Sequence, residues 1–397
     1  MKSYISNKEL FFQHVGQTSA FPMGIEIERA ENIYLYSPKG KRYIDLISGI
    51  AVSALGHNHP TITKAIKEQV DHHMHVMVYG EFVQNPQVQL AKALSDTLPN
   101  PLESVFFVNS GSEAIEGAMK LAKRYTGRHE FIACHNAYHG STHGALSLGS
   151  NEKFRQAFMP LVPGIHHIKF GDENDLERIH SKIAAVIIET VQGEAGVRIA
   201  SKTYFEKLRK KCSETGTLLI LDEIQTGYGR TGKIWAFEHY GIIPDVLVTA
   251  KGMGGGMPLG AFISSREIMQ SLQTDPVLGH ITTFGGHPVC CVASLATLEE
   301  LISSDIHTSA EEKGDLFRKY LKHPKIRQIR QIGLLMAVEF DSFDHVSGII
   351  HKSLDFGLIT DWFLFCDNAI RIAPPLIITD DQIKEACDIL LQAIDKC

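Results

Sequence analysis

The chain is poor in the features that mark disulfide scaffolds, membrane proteins and polyanion binders. Its cysteines number only seven in 397 residues, an odd count with no C-x-x-C spacing. That argues against a disulfide framework and for a reducing compartment. No apolar run approaches the roughly 20 residues of a membrane span. The opening stretch, MKSYISNKELFFQHV, lacks the apolar core of a secretory signal. A cytoplasmic protein without a membrane partner is therefore expected. Lys and Arg total 39 against 45 Asp and Glu, a formal charge of −6, so no nucleic-acid partner is expected either. The one basic cluster, KLRKK from Lys207 to Lys211, reads as the solvated end of a helix.

The chain is long enough to bury one large core and a second, smaller one. Between Pro60 and Ser265 helical patterns alternate with short apolar runs: SVFFVN, FIACH, AAVIIET, TLLILDE, DVLVTAK and GAFISS. Such alternation favours a mostly parallel sheet covered by helices. After His287-Pro288 the texture changes to an amphipathic helix, two apolar segments and a closing helix, an α+β arrangement. Residues 51–287 are read as a large α/β domain and 288–397 as a small one. Residues 1–50, with a hairpin-like NIYLYSPKGKRYIDLIS turning at Pro38-Lys39-Gly40, are expected to pack on the small domain.

Two of the apolar runs end in ionisable groups. Thr217 to Leu221 delivers Asp222, and Val246 to Ala250 delivers Lys251. At the carboxyl ends of neighbouring parallel strands, both would face the crevice where open α/β sheets bind ligands. A lysine that forms a Schiff base and an aspartate that pairs with a pyridinium nitrogen are the protein groups that pyridoxal 5'-phosphate (PLP) requires.

Other constellations surround this pair. A strand stops at Asn109, and Ser110-Gly111-Ser112 leads into a helix whose Ser110 and Glu113 have capping-box spacing. Its N-terminal N–H groups make a phosphate seat. Tyr138 follows another apolar run and could stack on a planar ring. His135, His139 and His143 recur at every fourth position, but Gly140 and Gly144 oppose a metal-binding helix. Glu189 ends a buried run, with Glu194 just beyond it. Asp222, Glu189 and Glu194 could alternatively form a two-carboxylate hydrolase site; Lys251, for which such a hydrolase has no use, discriminates. Gln225 lies just past Asp222. The Gly-rich Thr282-Thr283-Phe284-Gly285-Gly286 carries hydroxyls suited to a phosphate oxygen. Arg371 stands within an apolar run, where it needs a carboxylate partner.

In nearly its full length the chain resembles the class III (ω-type) PLP-dependent aminotransferases, most of all the acetylornithine, ornithine and 4-aminobutyrate branch. The likeness rests on YLYSPKGKRYIDLISGIAVSALGHNHP, NSGSEAIEGAMKLAKRYTG, YHGST, ETVQGEAGV, LDEIQTGYGRTG, TAKGMGGGMPLGA, TTFGGHP and IRIAPPL, in order. The resemblance implies fold type I: a large domain with a mainly parallel seven-stranded sheet, and a small α+β domain built from both chain ends. It implies a homodimer with shared active sites, a small-molecule amino donor and a 2-oxo acid acceptor. It also implies residue roles. Lys251 would carry the cofactor and shuttle a proton, and Asp222 would hold the pyridine nitrogen protonated. Ser110, Gly111 and Ser112 would seat the phosphate, and Thr283 would reach the phosphate of the partner subunit. Tyr138 would stack on the ring, Gln225 would contact its phenolic oxygen, and His139 and Glu189 would complete the cofactor site. Arg371 would grip an α-carboxylate, with Glu194 pairing to it when an ω-amine binds and swinging aside otherwise. Two positions bear on substrate. Ser141 stands where acetylornithine and 4-aminobutyrate enzymes usually carry arginine; serine is the residue seen there in ω-amine:pyruvate transaminases. Ile50 stands where ornithine aminotransferases place an aromatic residue. The leading expectation is an acetylornithine- or ornithine-like donor with 2-oxoglutarate or pyruvate as acceptor. The alternative is a 4-aminobutyrate or ω-amine:pyruvate enzyme. A PLP-fold racemase or decarboxylase would be favoured if Glu194 and Arg371 did not meet.

Overall fold

A computed structural model describes residues 6–397 of the chain. Its central sheet has seven strands: β1 (Ser104–Val108), β2 (Glu130–Cys134), β3 (Ile165–Ile168), β4 (Ile183–Glu189), β5 (Leu218–Asp222), β6 (Val246–Thr249) and β7 (Gly260–Ser264). Their order is β1-β7-β6-β5-β4-β2-β3. Only β7 runs against its neighbours, whereas β6 to β3 pair in parallel. Strands β4 to β7 are buried along their whole length, because helices cover both faces of a parallel sheet; hence their unbroken apolar sequences.

Alternate strand residues feed two cores. On one face Ile187, Ile220, Val248 and Phe262 pack with Ile115, Ala118 and Ala122 of the helix Gly111–Thr126. On the other, Ile188, Leu221, Leu247 and Ile263 join a larger core with Phe205, Leu208 and Cys212 of the helix Lys202–Thr215. Burial of each such side chain stabilises the fold by about 1.5–3 kcal/mol.

The chain ends are joined by hydrogen bonding. Tyr34–Tyr36 pairs antiparallel with Arg42–Asp45 across the Pro38-Lys39-Gly40 turn, and Leu358–Ile359 adds to Arg42–Asp45 in parallel. A second four-stranded sheet carries Cys366–Ile372 between Leu335–Glu339 and Trp362–Phe363. The helix Pro288–Ser304 lies against Pro60–His72 and Asn85–Asp96. No helix among the described residues is long and apolar enough to cross a membrane.

Candidate active site

Parallel pairing sets Glu189 opposite Asp222 at the carboxyl ends of β4 and β5, and Lys251 follows β6. All three line one cavity of 480 Å³, together with Ser110, Gly111, Ser112, Tyr138, His139, Glu194 and Gln225. The sequence scatters these groups; the strand ends collect them. Lys251 itself has φ of 49°, a left-handed backbone rare for a side chain of its length. Burial draws its amine below the ordinary lysine range against the pull of Glu194, helped by nearby Arg371.

Asp222 is 4 % exposed. Its Oδ1 accepts the Ile224 N–H at 2.9 Å, and its Oδ2 lies 2.7 Å from Nδ1 of His139. Burial pulls His139 down, but the hydrogen bond and charge of Asp222 outweigh it and hold the imidazole above its ordinary pKa. Glu189 spends both oxygens on backbone, accepting from Tyr138 N at 3.1 Å and Gly193 N at 2.9 Å. Burial pushes this carboxyl up to about 7. Glu189 thus fixes the loops that bear Tyr138 and Glu194.

The Ser110–Ser112 turn differs in one detail from the spacing rule. Ser110 Oγ accepts the Glu113 N–H at 3.2 Å as expected. The Glu113 carboxylate, however, takes the backbone and side-chain N–H groups of Asn109, at 2.7 and 2.8 Å. The reciprocal bond of a capping box therefore falls one residue early, where two donors reach a single oxygen. Glycines admit the close approaches around this turn. A Cβ on Gly140 would stand 1.8 Å from Ser112 Oγ, and one on Gly193 1.6 Å from Gln225 Oε1. Ser141 donates its N–H to Ser112 Oγ at 3.1 Å, and its hydroxyl lies 3.2 Å from that of Tyr138.

A second cavity, of 910 Å³, shares Tyr138, Glu194 and Lys251 with the first and reaches Ile50, Asp361 and Arg371. Arg371 and Glu194 meet there in a buried bidentate pair, at 2.8 and 3.0 Å. Burial alone would raise the Glu194 carboxyl; Arg371 more than reverses it. Ile50 enters this cavity from a left-handed turn, with Ser48, Gly49, Ile50 and Ala51 at φ of 51°, 62°, 65° and 61°. Each non-glycine residue there costs about 1–2 kcal/mol. Asp45 Oδ1, which accepts the N–H groups of Ile47 and Ser48 at 2.8 and 2.9 Å, helps hold the turn. Its Oδ2 lies 2.8 Å from His57 Nε2.

Thr283 is exposed and lines neither of these cavities in its own chain. Sequence reasoning also missed Asp361, which bonds Arg371 Nε at 3.0 Å. The signal was present: a lone aspartate inside the apolar GLITDWFLF, by the same rule that singled out Arg371.

The family model Aminotransferase class-III matches residues 15–394. The acetylornithine aminotransferase of Methanopyrus kandleri is 39% identical over 96% of this chain and 96% of its own. A putrescine aminotransferase of Pectobacterium atrosepticum is 38% identical over 90% of this chain and 80% of its own. Among solved structures, the ornithine aminotransferase of Toxoplasma gondii, with partial occupancy of PLP at its active site, superposes with a TM-score of 0.91. It is 28% identical and covers 99% of this chain and 95% of its own. With a lysine and a buried aspartate at the strand ends, an arginine–glutamate pair facing them across the cavity, and a family match over most of its length, this chain belongs to the class III aminotransferases.

Proposed function

We propose that the enzyme uses pyridoxal 5'-phosphate and moves an ω-amino group from an acetylornithine- or ornithine-like donor to a 2-oxo acid. The residues fit the cofactor. Gln225 Nε2 and His139 Nε2 are buried and without partners, and Gln225 lines the Lys251 cavity, where its N–H can meet a ring oxygen. The N-terminus of Gly111–Thr126 can take the phosphate, Tyr138 can lie on the ring, and Asp222 can hold the ring nitrogen protonated. When bound, the cofactor supplies an electron sink for the charge left as a substrate C–H bond breaks.

The chain's own groups do the rest. Lys251, with its amine drawn down by burial, can take a proton from the substrate carbon and return it. Asp222, fixed by His139 and Ile224 N–H, presents a negative charge that needs no rearrangement during reaction. One observation carries the choice of an ω-amine donor: the Glu194–Arg371 pair. Closed, it removes the free guanidinium that would select α-amino acids. Opened, it offers an α-carboxylate the NH1/NH2 edge.

A second reading, a 4-aminobutyrate or ω-amine:pyruvate enzyme, is favoured by Ser141. It cannot form an ion pair with a distal carboxylate, and the outer cavity is walled by Phe21, Met23, Phe343, Ile350, Trp362 and Leu364. The test is kcat/KM for N-acetylornithine, ornithine, 4-aminobutyrate and a carboxylate-free ω-amine, each against 2-oxoglutarate and pyruvate. The leading reading expects N-acetylornithine or ornithine to be preferred. Preference for the carboxylate-free amine with pyruvate moves the assignment to the second reading, and no transfer from any ω-amine refutes both.

The working form is proposed to be a homodimer with shared active sites, Thr283 reaching the partner's phosphate. Support comes from the apolar side chains exposed beside Thr283: Val277, Leu278, Ile281 and Phe284. A cytoplasmic location is proposed because all seven cysteines are unpaired.

A further inference from the structure

Arg371 is held by two carboxylates of different character. Glu194 covers the NH1/NH2 edge. Asp361 binds Nε at 3.0 Å, the Trp362 carbonyl accepts from NH2 at 3.3 Å, and the Phe363 ring lies 4.5 Å from the guanidinium carbon. Asp361 belongs to the segment that pairs with the arginine's own strand. The Arg371 N–H donates to the Asp361 carbonyl at 2.8 Å, and Thr360 Oγ1 donates to the Arg371 carbonyl at 2.5 Å. Glu194 comes from the far loop after β4. Asp361 is thus tied to the arginine's own strand through backbone as well as side chain, whereas Glu194 is tied to the neighbouring turn, its carbonyl accepting the Phe365 N–H at 3.0 Å and its carboxylate the Leu364 N–H at 3.1 Å.

We propose that Asp361 stays on Arg371 through both halves of the reaction and sets how strongly the guanidinium holds an α-carboxylate. This rests on the aminotransferase reading above. Asp361 is a positioning residue with two opposed effects. Its oxygen on Nε fixes the plane of the guanidinium, so that the NH1/NH2 edge faces the Lys251 cavity. Its charge offsets that of Arg371, so an incoming carboxylate meets a cation already half satisfied. With Glu194 in place the cluster carries one negative charge in excess. Exchange of Glu194 for the carboxylate of a 2-oxo acid leaves that net charge unchanged, so Asp361 offsets part of the Arg371 charge in both halves of the reaction.

Two substitutions separate the effects. Asp361→Asn keeps an oxygen for Nε but removes the charge; Asp361→Ala removes both. The holoenzymes are assayed by stopped-flow absorbance of each half-reaction, with pyruvate or 2-oxoglutarate as acceptor and the best ω-amine as donor. Competitive inhibition by propionate reads carboxylate affinity without turnover. Asp361→Asn is expected to bind acceptor and propionate several-fold more tightly, and Asp361→Ala about tenfold more weakly. A merely structural role predicts no gain of affinity in either variant. Equal shifts of one sign in both, or no shift in either, overturn the proposal. Failure of the aminotransferase reading is distinguishable, because the wild-type enzyme would then transfer no amino group at all.

Discussion

Glu194→Ala offers a quantitative test of the gate. The wild-type carboxylate makes two charge-assisted bonds to Arg371, at 2.8 and 3.0 Å, between side chains 8 % and 2 % exposed. A hydrogen bond to a charged group contributes about 1.5–3 kcal/mol. An α-carboxylate entering the wild-type site replaces like with like and must first expel Glu194; in the variant it meets an open edge. The penalty removed is on the order of one such bond, since Asp361 and the Trp362 carbonyl still hold the guanidinium. That corresponds to roughly 10–150-fold in kcat/KM for an α-amino acid relative to an ω-amine. Glu194→Gln, which can still accept the Leu364 N–H at 3.1 Å as Glu194 does, is expected to lie between the two. The assay is the absorbance change of the cofactor on mixing holoenzyme with L-alanine or with the preferred ω-amine, fitted over concentration. A ratio within about twofold of wild type in Glu194→Ala refutes the gating argument.

Ser141→Arg supplies a cation beside Tyr138 and is expected to raise kcat/KM for 2-oxoglutarate over pyruvate by about tenfold; an unchanged ratio in steady-state assays counts against the distal-carboxylate reasoning. Gly140→Ala forces a side chain into φ of 133° and against Ser112 Oγ, so PLP affinity by equilibrium titration is expected to fall on the order of tenfold; Gly127→Ala, equally strained in backbone at the opposite end of the helix Gly111–Thr126 but with open space for its Cβ, is the control for strain alone. His139 is held above its ordinary pKa by Asp222. A raised pKa stabilises fully below the unfolded value, about 6.5, and the contribution is lost as pH rises through the folded value. The Tm gap between wild type and His139→Gln should therefore narrow as pH rises above about 6.5; a gap that widens would show that the pair acts otherwise.

The sheet was legible because two-sided burial leaves an unmistakable local trace. Runs such as AAVIIE and TLLILD have no polar face to show, and each ends where the sheet meets solvent. Lys251, Asp222 and Glu189 could be picked out as the first ionisable groups past those runs. What the sequence hid was set by contacts between distant segments. The left-handed turn that presents Ile50 depends on Asp45 and on a bond from Ser48 Oγ to the Ala373 carbonyl at 2.8 Å; Gly49 alone does not announce three neighbours of the same hand. His57 has nothing local in GHNHP to mark it, and its partner Asp45, twelve residues earlier, meets it only in the fold. Glu113 read as half of a capping box, but Asn109 offers it two donors and wins. Asp361 stands out locally as a lone aspartate in an apolar run, but that its partner is Arg371 becomes apparent only when Trp362–Phe363 folds back along Cys366–Ile372.

The account stands or falls on the Lys251 amine. Purified holoenzyme reduced with borohydride, digested and sequenced by mass spectrometry is predicted to carry a pyridoxyl group on Lys251, and Lys251→Ala is predicted to carry none and to show no turnover. A label on a different lysine, or sustained transamination by the variant, would contradict it.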